Sequence, residues 1–252
     1  FRKKKINMTI TSLITVRSAS SRLQSKCYLP FGEYTVIEHI IKRSLNYNLN
    51  PIICTTFNES DDEIVNIAKK CNIRYFRGPD INKLLRWKMC CEKYNVELFH
   101  TIDADDPFFC GEEVKRSFRL LLKGYDMIEP TLSSSNGAGT VGYSLRYSIV
   151  KKICDNLAID TNTEMMWNFI KHDKNAKCKV LPEPGQFIIK ERLTLDYEED
   201  YEMLVKLRNN VGNFASREEV YKALINNNDL VKINKFRNSE WKKNQIMRGK
   251  NV

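Results

Sequence analysis

The chain has 252 residues, 42% of them hydrophobic and 10% aromatic, with a formal net charge of +10. That is enough for one sizeable α/β core and too apolar for wholesale disorder. No run of about 18 apolar residues occurs, so no membrane span is expected. The positive charge sits at the two ends: Arg2 to Lys5 at one, and Lys232, Lys235, Arg237, Lys242, Lys243, Arg248 and Lys250 at the other. A nearly neutral body with basic ends reads as solvated termini, and no nucleic-acid partner is expected. Asn7, Thr9, Thr11, Ser12 and Thr15 interrupt the apolar segment that a signal peptide would need. Residues 1–7 read as a linker or the end of something upstream. The eight cysteines form no C-x-x-C pair, which points to a reduced, cytoplasmic protein.

Residues 13–16 are apolar and β-branched enough for a buried strand, and the next helical pattern begins near Val36 with Ile37, Ile40, Ile41 and Leu45 on one face. Residues 51–56 read as a buried strand, and Ser60-Asp61-Asp62-Glu63 as a capping box before a helix carrying Ile64, Ile67, Ala68 and Cys71. A short strand over 72–76 and a turn at 77–80 precede a helix with Trp87, Cys90, Cys91 and Tyr94 in register. A strand over 96–102 runs into Asp103-Ala104-Asp105-Asp106-Pro107, and Glu112 and Glu113 open a helix burying Val114, Phe118, Leu121 and Leu122. Residues 125–129 return as a strand. The alternation predicts a mostly parallel sheet with helices on both faces and ligands at its carboxyl edge.

The second half is less regular. Residues 133–142 read as a mobile loop over the site, residues 149–157 as a helix, and residues 161–164 as the cap of a helix carrying Met165, Met166, Phe169 and Ile170. Residues 193–196 read as a strand end, followed by a helix with Tyr197, Tyr201, Leu204 and Val205. A last capped helix starts at Ser216. Residues 8–226 are expected to form a single domain, with 227–252 a basic tail packed on it or extending from it.

Two loops carry the chemistry. Arg17, Arg22 and Lys26, among the small residues Ser18, Ala19, Ser20 and Ser21, follow a buried strand. Small residues let backbone N–H groups approach phosphate oxygens while the cations neutralise them, so this loop is expected to grip a nucleoside triphosphate. The alternative is a set of solvated surface cations. Asp103 and Asp105 can reach one edge if the chain turns between them, which Pro107 favours. Carboxylates there suit Mg²⁺, with Asp196 as a ligand from the opposite side; the other reading is a helix cap. His39 and His100 are expected in core or interface roles, and His172 at a helix end.

The string Ile14-Thr15-Val16-Arg17-Ser18-Ala19-Ser20-Ser21-Arg22-Leu23-Gln24-Ser25-Lys26 resembles the signature of the cytidylyltransferases that activate acidic sugars as CMP derivatives. The nearest likeness is to their SpsF-like spore-coat polysaccharide branch, related to CMP-Kdo and CMP-sialate synthetases. It continues through Glu38-His39-Ile40, Thr55-Thr56, Asp61-Asp62, Phe76-Arg77-Gly78, Leu85-Arg86-Trp87, Ala104 to Pro107 and Arg192 to Asp200. The resemblance implies a Rossmann-like, GT-A-like nucleotidyltransferase fold, a three-layer α/β sandwich. It implies CTP bound by Val16 to Arg22, Lys26, Thr55, Thr56, Arg77 and Arg86, with Mg²⁺ on Asp105 and Asp196. Arg22, Lys26 and Asp105 would then be catalytic, as a sugar hydroxyl attacks the α-phosphorus and pyrophosphate leaves.

Two departures stand out. Gln24-Ser25 replaces the signature's Pro-Gly, which bears on the loop's backbone path. Gly139 and Val141 fall where that branch carries acids facing the sugar, which bears on the acceptor. The product expected is a CMP-activated acidic or keto-deoxy sugar for surface polysaccharide. Asp103-Ala104-Asp105 also reads as the Asp-x-Asp of a glycosyltransferase, though the Arg17 to Lys26 cluster is then unexplained. A third reading is a non-catalytic nucleotide-binding module. A homodimer is expected, with Tyr143, Tyr147 and Trp167 as aromatics for its interface.

Overall fold

The computed structural model describes residues 9–20 and 22–249. Residues 1–7, read above as a linker, and Ser21 of the nucleotide set lie outside the described residues. The first half lays down β1 (Ile10–Thr15), β2 (Pro30–Phe31), β3 (Tyr34–Thr35), α1 (Val36–Asn46), β4 (Leu49–Thr56), α2 (Asp62–Lys70), β5 (Arg74–Gly78), α3 (Lys83–Tyr94) and β6 (Leu98–Asp103). There follow α4 (Gly111–Leu121), β7 (Met127–Glu129), β8 (Ser144–Arg146), α5 (Tyr147–Cys154), α6 (Met166–His172), β9 (Cys178–Val180), α7 (Glu198–Val211), α8 (Arg217–Asn226), α9 (Asn228–Lys232) and α10 (Arg237–Gly249).

The main sheet has seven strands in the order β5-β4-β1-β6-β8-β7-β9. Strands β5, β4, β1 and β6 run parallel; β8 alone is antiparallel to its neighbours, so the sheet is mostly parallel as expected. Alternate residues leave opposite faces. Ile14, Ile53, Ile102 and Ile128 pack with α1, α2, α4 and α7. Leu13, Ile52, Phe99 and Met127 pack with α3, α5 and α6. Two cores on one sheet make the three-layer α/β sandwich expected from the sequence.

Several local expectations are corrected. The capping box at 60–63 does not form: Asp61 makes no cap bond to its helix and turns its carboxylate back to Ser18, Thr55 and Thr56. β5 starts at Arg74 because Asn72 takes a left-handed turn (φ 54°) after α2. Leu122, expected in the core, is exposed beyond the end of α4. Leu157 lies past the end of α5. Residues 161–164 do not cap α6; Thr163 Oγ1 instead accepts the Leu84 N–H (2.9 Å), so it caps α3 from across the fold. Residues 133–142 are not a loose loop. They contain a π-helical turn, Ser134–Ala138, with Gly137, Ala138, Thr140 and Val141 buried. Residues 193–196 form no strand, because their partners are turn backbones that offer single bonds: Leu193 N–H to the Gly137 carbonyl and Leu195 N–H to that of Asp105.

Past residue 226 the chain folds against the body. Leu230 is buried, and Asn234 donates to Asp200 (2.9 Å) and to the Arg192 carbonyl (3.1 Å). Arg237 pairs with Glu199 at 2.8 Å.

Ser25 takes φ 52°, ψ 26°, immediately before the 3-10 turn Lys26–Tyr28. This is the left-handed region that favours glycine, so serine at this position holds the turn at the expense of strain. Ser25→Gly relieves that strain and loosens the unfolded chain, a net gain of about 0.5 kcal/mol. A thermal melt should show a midpoint higher by roughly 1–2 °C; a lower midpoint contradicts the assignment.

Candidate active site

The carboxyl ends of β1 and β6 open into a cleft of about 700 Å³, a size suited to a small ligand. Thr15 and Val16 line its floor, and Trp87 Nε1 fixes Thr15 through its hydroxyl at 3.0 Å. The loop beyond Val16 is anchored from behind by Asp61. One of its carboxylate oxygens accepts from the Ser18 N–H (2.8 Å) and hydroxyl (2.7 Å), and the other from the hydroxyls of Thr55 (3.0 Å) and Thr56 (2.5 Å). Burial would raise the Asp61 carboxyl, but these bonds hold it below its ordinary value.

That arrangement sorts the nucleotide set. Val16, Arg17, Ala19, Ser20, Arg22, Lys26 and Arg86 line the cleft. Ser18, Thr55 and Thr56 turn to Asp61 and shape the loop from outside. Arg77 points away, donating to the carbonyls of Thr56 and Asn58 and pairing with Asp62. Arg86 spends one Nη on the carbonyls of Pro79 and Asp80.

Lys26 is the hub. Its Nζ donates to Asp105 (2.9 Å), to Asp196 (2.9 Å) and to the Leu195 carbonyl (2.7 Å). Arg22 donates to the same Asp196 oxygen at 2.5 Å. Burial would lower the Lys26 ammonium, but Asp105 and Asp196 more than offset it and hold it above its usual value. Burial would likewise raise Asp196, yet Lys26 and Arg22 hold that carboxyl well below the ordinary range. Behind them Arg192, its side chain fully buried, makes paired bonds of 2.8 Å to Asp200 and a longer one of 3.5 Å to Asp196. Arg17 is half-exposed, paired with Asp80 at 3.0 Å and Glu164 at 3.8 Å, contacts that are cheap to break.

The turn after β6 gathers acid. The Asp106 N–H bonds the Asp103 carbonyl at 3.1 Å, which folds the chain between the carboxylates. Oxygens of Asp103, Asp105 and Asp106 all come within 4.8 Å of one another, a set that could hold a divalent cation. Burial first, then the Asp105 and Asp103 charges, push the Asp106 carboxyl well up; burial raises Asp103 too, despite Lys83. Asp106 packs on Gly139, where a Cβ would lie 2.2 Å from its Oδ1 (φ 56°). A side chain at 139 would collide with that carboxylate, so this packing requires glycine. Asp196, expected beside Asp105 as a metal ligand, sits across Lys26 from it.

The far wall carries residues that pattern reading missed. Tyr143 and Trp167, expected at a dimer interface, are half-buried and stack on each other (5° between planes, centroids 5.9 Å apart) in the cleft wall. Glu129 pairs with Lys171 at 2.5 Å, and Lys83 approaches Glu164 at 3.7 Å. These four charges come from separate elements with no shared motif, so only the fold could bring them together. His39 and His100 are buried and pushed down to about 4 and about 3, away from any proton transfer near neutrality.

The sequence profile of the family described as Cytidylyltransferase matches residues 11–220, most of the chain. The chain belongs to the cytidylyltransferase family. Among curated relatives it is 25% identical over 213 residues to the spore coat polysaccharide biosynthesis protein SpsF of Bacillus subtilis, covering 81% of this chain and 88% of that one. A cytidylyltransferase structure from Leptospira borgpetersenii superposes with a TM-score of 0.79 at 22% identity, over 89% of this chain and 97% of the other. The structure of CMP:2-keto-3-deoxy-manno-octonic acid synthetase complexed with CTP gives 0.59 at 11% identity, over 80% and 99%. The protein is thus a nucleotidyltransferase, and the chemistry of this cytidylyltransferase is transfer of CMP from CTP to an acceptor with release of pyrophosphate. Among the described residues no helix is long and apolar enough to cross a membrane.

Proposed function

We propose that this cytidylyltransferase makes a CMP-activated sugar, with an acidic or keto-deoxy sugar as acceptor, for surface polysaccharide, as the likeness to SpsF supports. One observation carries the reading: the cationic loop of Arg17, Arg22 and Lys26 and the acidic turn of Asp103, Asp105 and Asp106 converge in one cleft beside an aromatic wall. Arg22 and Lys26 exchange Asp196 for the triphosphate and take up the charge of the leaving group. The acceptor lies along Tyr143 and Trp167, with Lys83 and Lys171 as cations for its carboxylate. Its hydroxyl oxygen bonds to the α-phosphorus, the bond from that phosphorus to the bridging oxygen breaks, pyrophosphate leaves with that electron pair, and the hydroxyl proton passes to water.

The acidic turn fits Mg²⁺: three hard oxygen donors lie close together, and their mutual repulsion is what a cation would relieve. Asp105, with Asp103 and Asp106 beside it, would hold the ion; Asp196 would join only once Lys26 and Arg22 release it. Bound there, Mg²⁺ supplies Lewis-acid charge at the α-phosphate and eases loss of the hydroxyl proton. We place the reaction in the cytoplasm, consistent with eight free cysteines. A homodimer would have to be built without the Tyr143–Trp167 stack.

Pyrophosphate release from CTP and Mg²⁺, measured across a panel of neutral sugars, sugar acids and keto-deoxy acids, tests the proposal. Release with at least one acid and none with neutral sugars is expected. Release with neutral sugars alone overturns the acceptor class, and tight CTP binding without any turnover reduces the protein to a binding module.

A further inference from the structure

The basic tail has more to do than cover the core. Trp241, Lys242 and Gln245, all on α10, line the same cleft as Arg22 and Lys26. Two contacts place this helix beside the phosphate-binding cations rather than the aromatic wall. Asn244 Nδ2 donates to the Tyr197 hydroxyl at 3.3 Å, and the Arg22 guanidinium lies 5.8 Å from the Tyr197 ring centroid. Trp241 lies 5.3 Å from the guanidinium of Arg192, the residue that holds Asp200 and reaches Asp196. The helix therefore rests on the residues that position Arg22 and Lys26.

Lys242 differs from its neighbours. Arg17, Arg22, Lys26, Lys83 and Lys171 each pair with a carboxylate and the buried Arg86 is tied to backbone carbonyls, whereas Lys242 is exposed on the cleft wall with no ion pair among the described residues. The paired cations must exchange one anion for another when a phosphate arrives. An unpaired ammonium has no carboxylate to give up, so solvent screening alone lessens its attraction to the phosphate.

We propose that α10 completes the active site, with Lys242 and the Gln245 amide binding the β- and γ-phosphates of CTP, the part that leaves as pyrophosphate. Trp241 is a positioning residue that seats the helix on Arg192. The inference rests on the reading of the cleft as a CTP site, and it makes the C-terminal segment a determinant of triphosphate recognition.

Calorimetric titration of the full chain with CTP and with CMP, for the wild type and for Lys242→Gln and Lys242→Arg, tests this. Lys242→Gln should weaken CTP binding about tenfold, the loss of one charge-assisted contact, while leaving CMP binding unchanged. The Arg variant should recover most of the loss, and KM for CTP should rise more than kcat falls. Equal weakening for CTP and CMP, or none for either, overturns the assignment. A raised KM confined to the sugar acceptor overturns it in favour of an acceptor contact. Failure of the wild type itself to bind CTP would instead strike the reading of the cleft.

Discussion

Lys26→Met should reduce turnover by at least about a hundredfold, the scale of losing one preorganised charge at a reacting centre. It should also destabilise the fold, which separates Lys26 from an ordinary surface cation. Its ammonium lies between Asp105 and Asp196, the latter with only 2% of its side chain exposed. Removing it leaves those carboxylates facing each other with only Arg22 and the more distant Arg192 in compensation on Asp196, at a cost of about 2–3 kcal/mol. The thermal midpoint at pH 7 should fall by roughly 5–10 °C.

The pH dependence has a definite sign. The Lys26 pKa is raised in the folded state, so its contribution is full below the unfolded value of about 10.4 and is lost as pH climbs through the folded one. The Asp196 pKa is depressed, so its contribution is present above about 3.9 and is lost as pH falls through the folded value. The gap between wild type and Lys26→Met should therefore be widest from about pH 5 to 9 and narrow in acid. Melts of the two proteins across pH check this. An unchanged midpoint at pH 7 would mean that the ammonium is not holding the carboxylates.

Asp106→Asn should stabilise the metal-free protein while cutting activity about a hundredfold or more. Burial and the charges of Asp105 and Asp103 push the Asp106 carboxyl well up, so its ionised form is disfavoured in the fold. Such a group costs stability above its unfolded pKa of about 3.9, and the cost fades as pH falls to that value. Asparagine has nearly the same shape, keeps an acceptor for Thr194, and still fits against Gly139. Melts in chelator should show a higher midpoint for the variant at pH 7 and convergence with wild type near pH 4. In millimolar Mg²⁺ the wild type should gain more than the variant, because the ion relieves the same repulsion. A variant less stable at pH 7 without divalent ions would show that the carboxylate is a structural acceptor.

The framework of the fold was legible because it depends on short-range periodicity. Apolar runs at 13–16 and 51–56 and the helical faces after Val36 and Ile64 mark the parallel half, and its carboxyl edge locates both functional loops. What failed was polar bookkeeping over long distances. The Ser60 to Glu63 and Thr161 to Glu164 strings have the spacing of caps, yet Asp61 and Thr163 bond residues 43 and 79 positions away. No local rule distinguishes a hydroxyl or carboxylate that caps its own helix from one that ties a loop. The family resemblance alone places Thr55, Thr56 and Arg77 in the nucleotide set, whereas the fold turns them to Asp61, Asp62 and backbone carbonyls behind the loop. The far wall, Glu129, Lys171, Tyr143 and Trp167, is assembled from β7, α6 and the segment before β8. The run Asp103-Ala104-Asp105-Asp106 was visible, but the closeness of Asp106 depends on the turn that Asp103 and Asp106 close.

The central claim is that the cleft transfers CMP, with Arg22 and Lys26 gripping the end of CTP that leaves. Incubating the protein with Mg²⁺, an acceptor that supports pyrophosphate release, and CTP labelled either at the α- or at the γ-phosphorus tests it directly. The account predicts α-label in the sugar product and all of the γ-label in pyrophosphate. Label from the γ-position in the sugar, or α-label appearing only as free CMP, would contradict it.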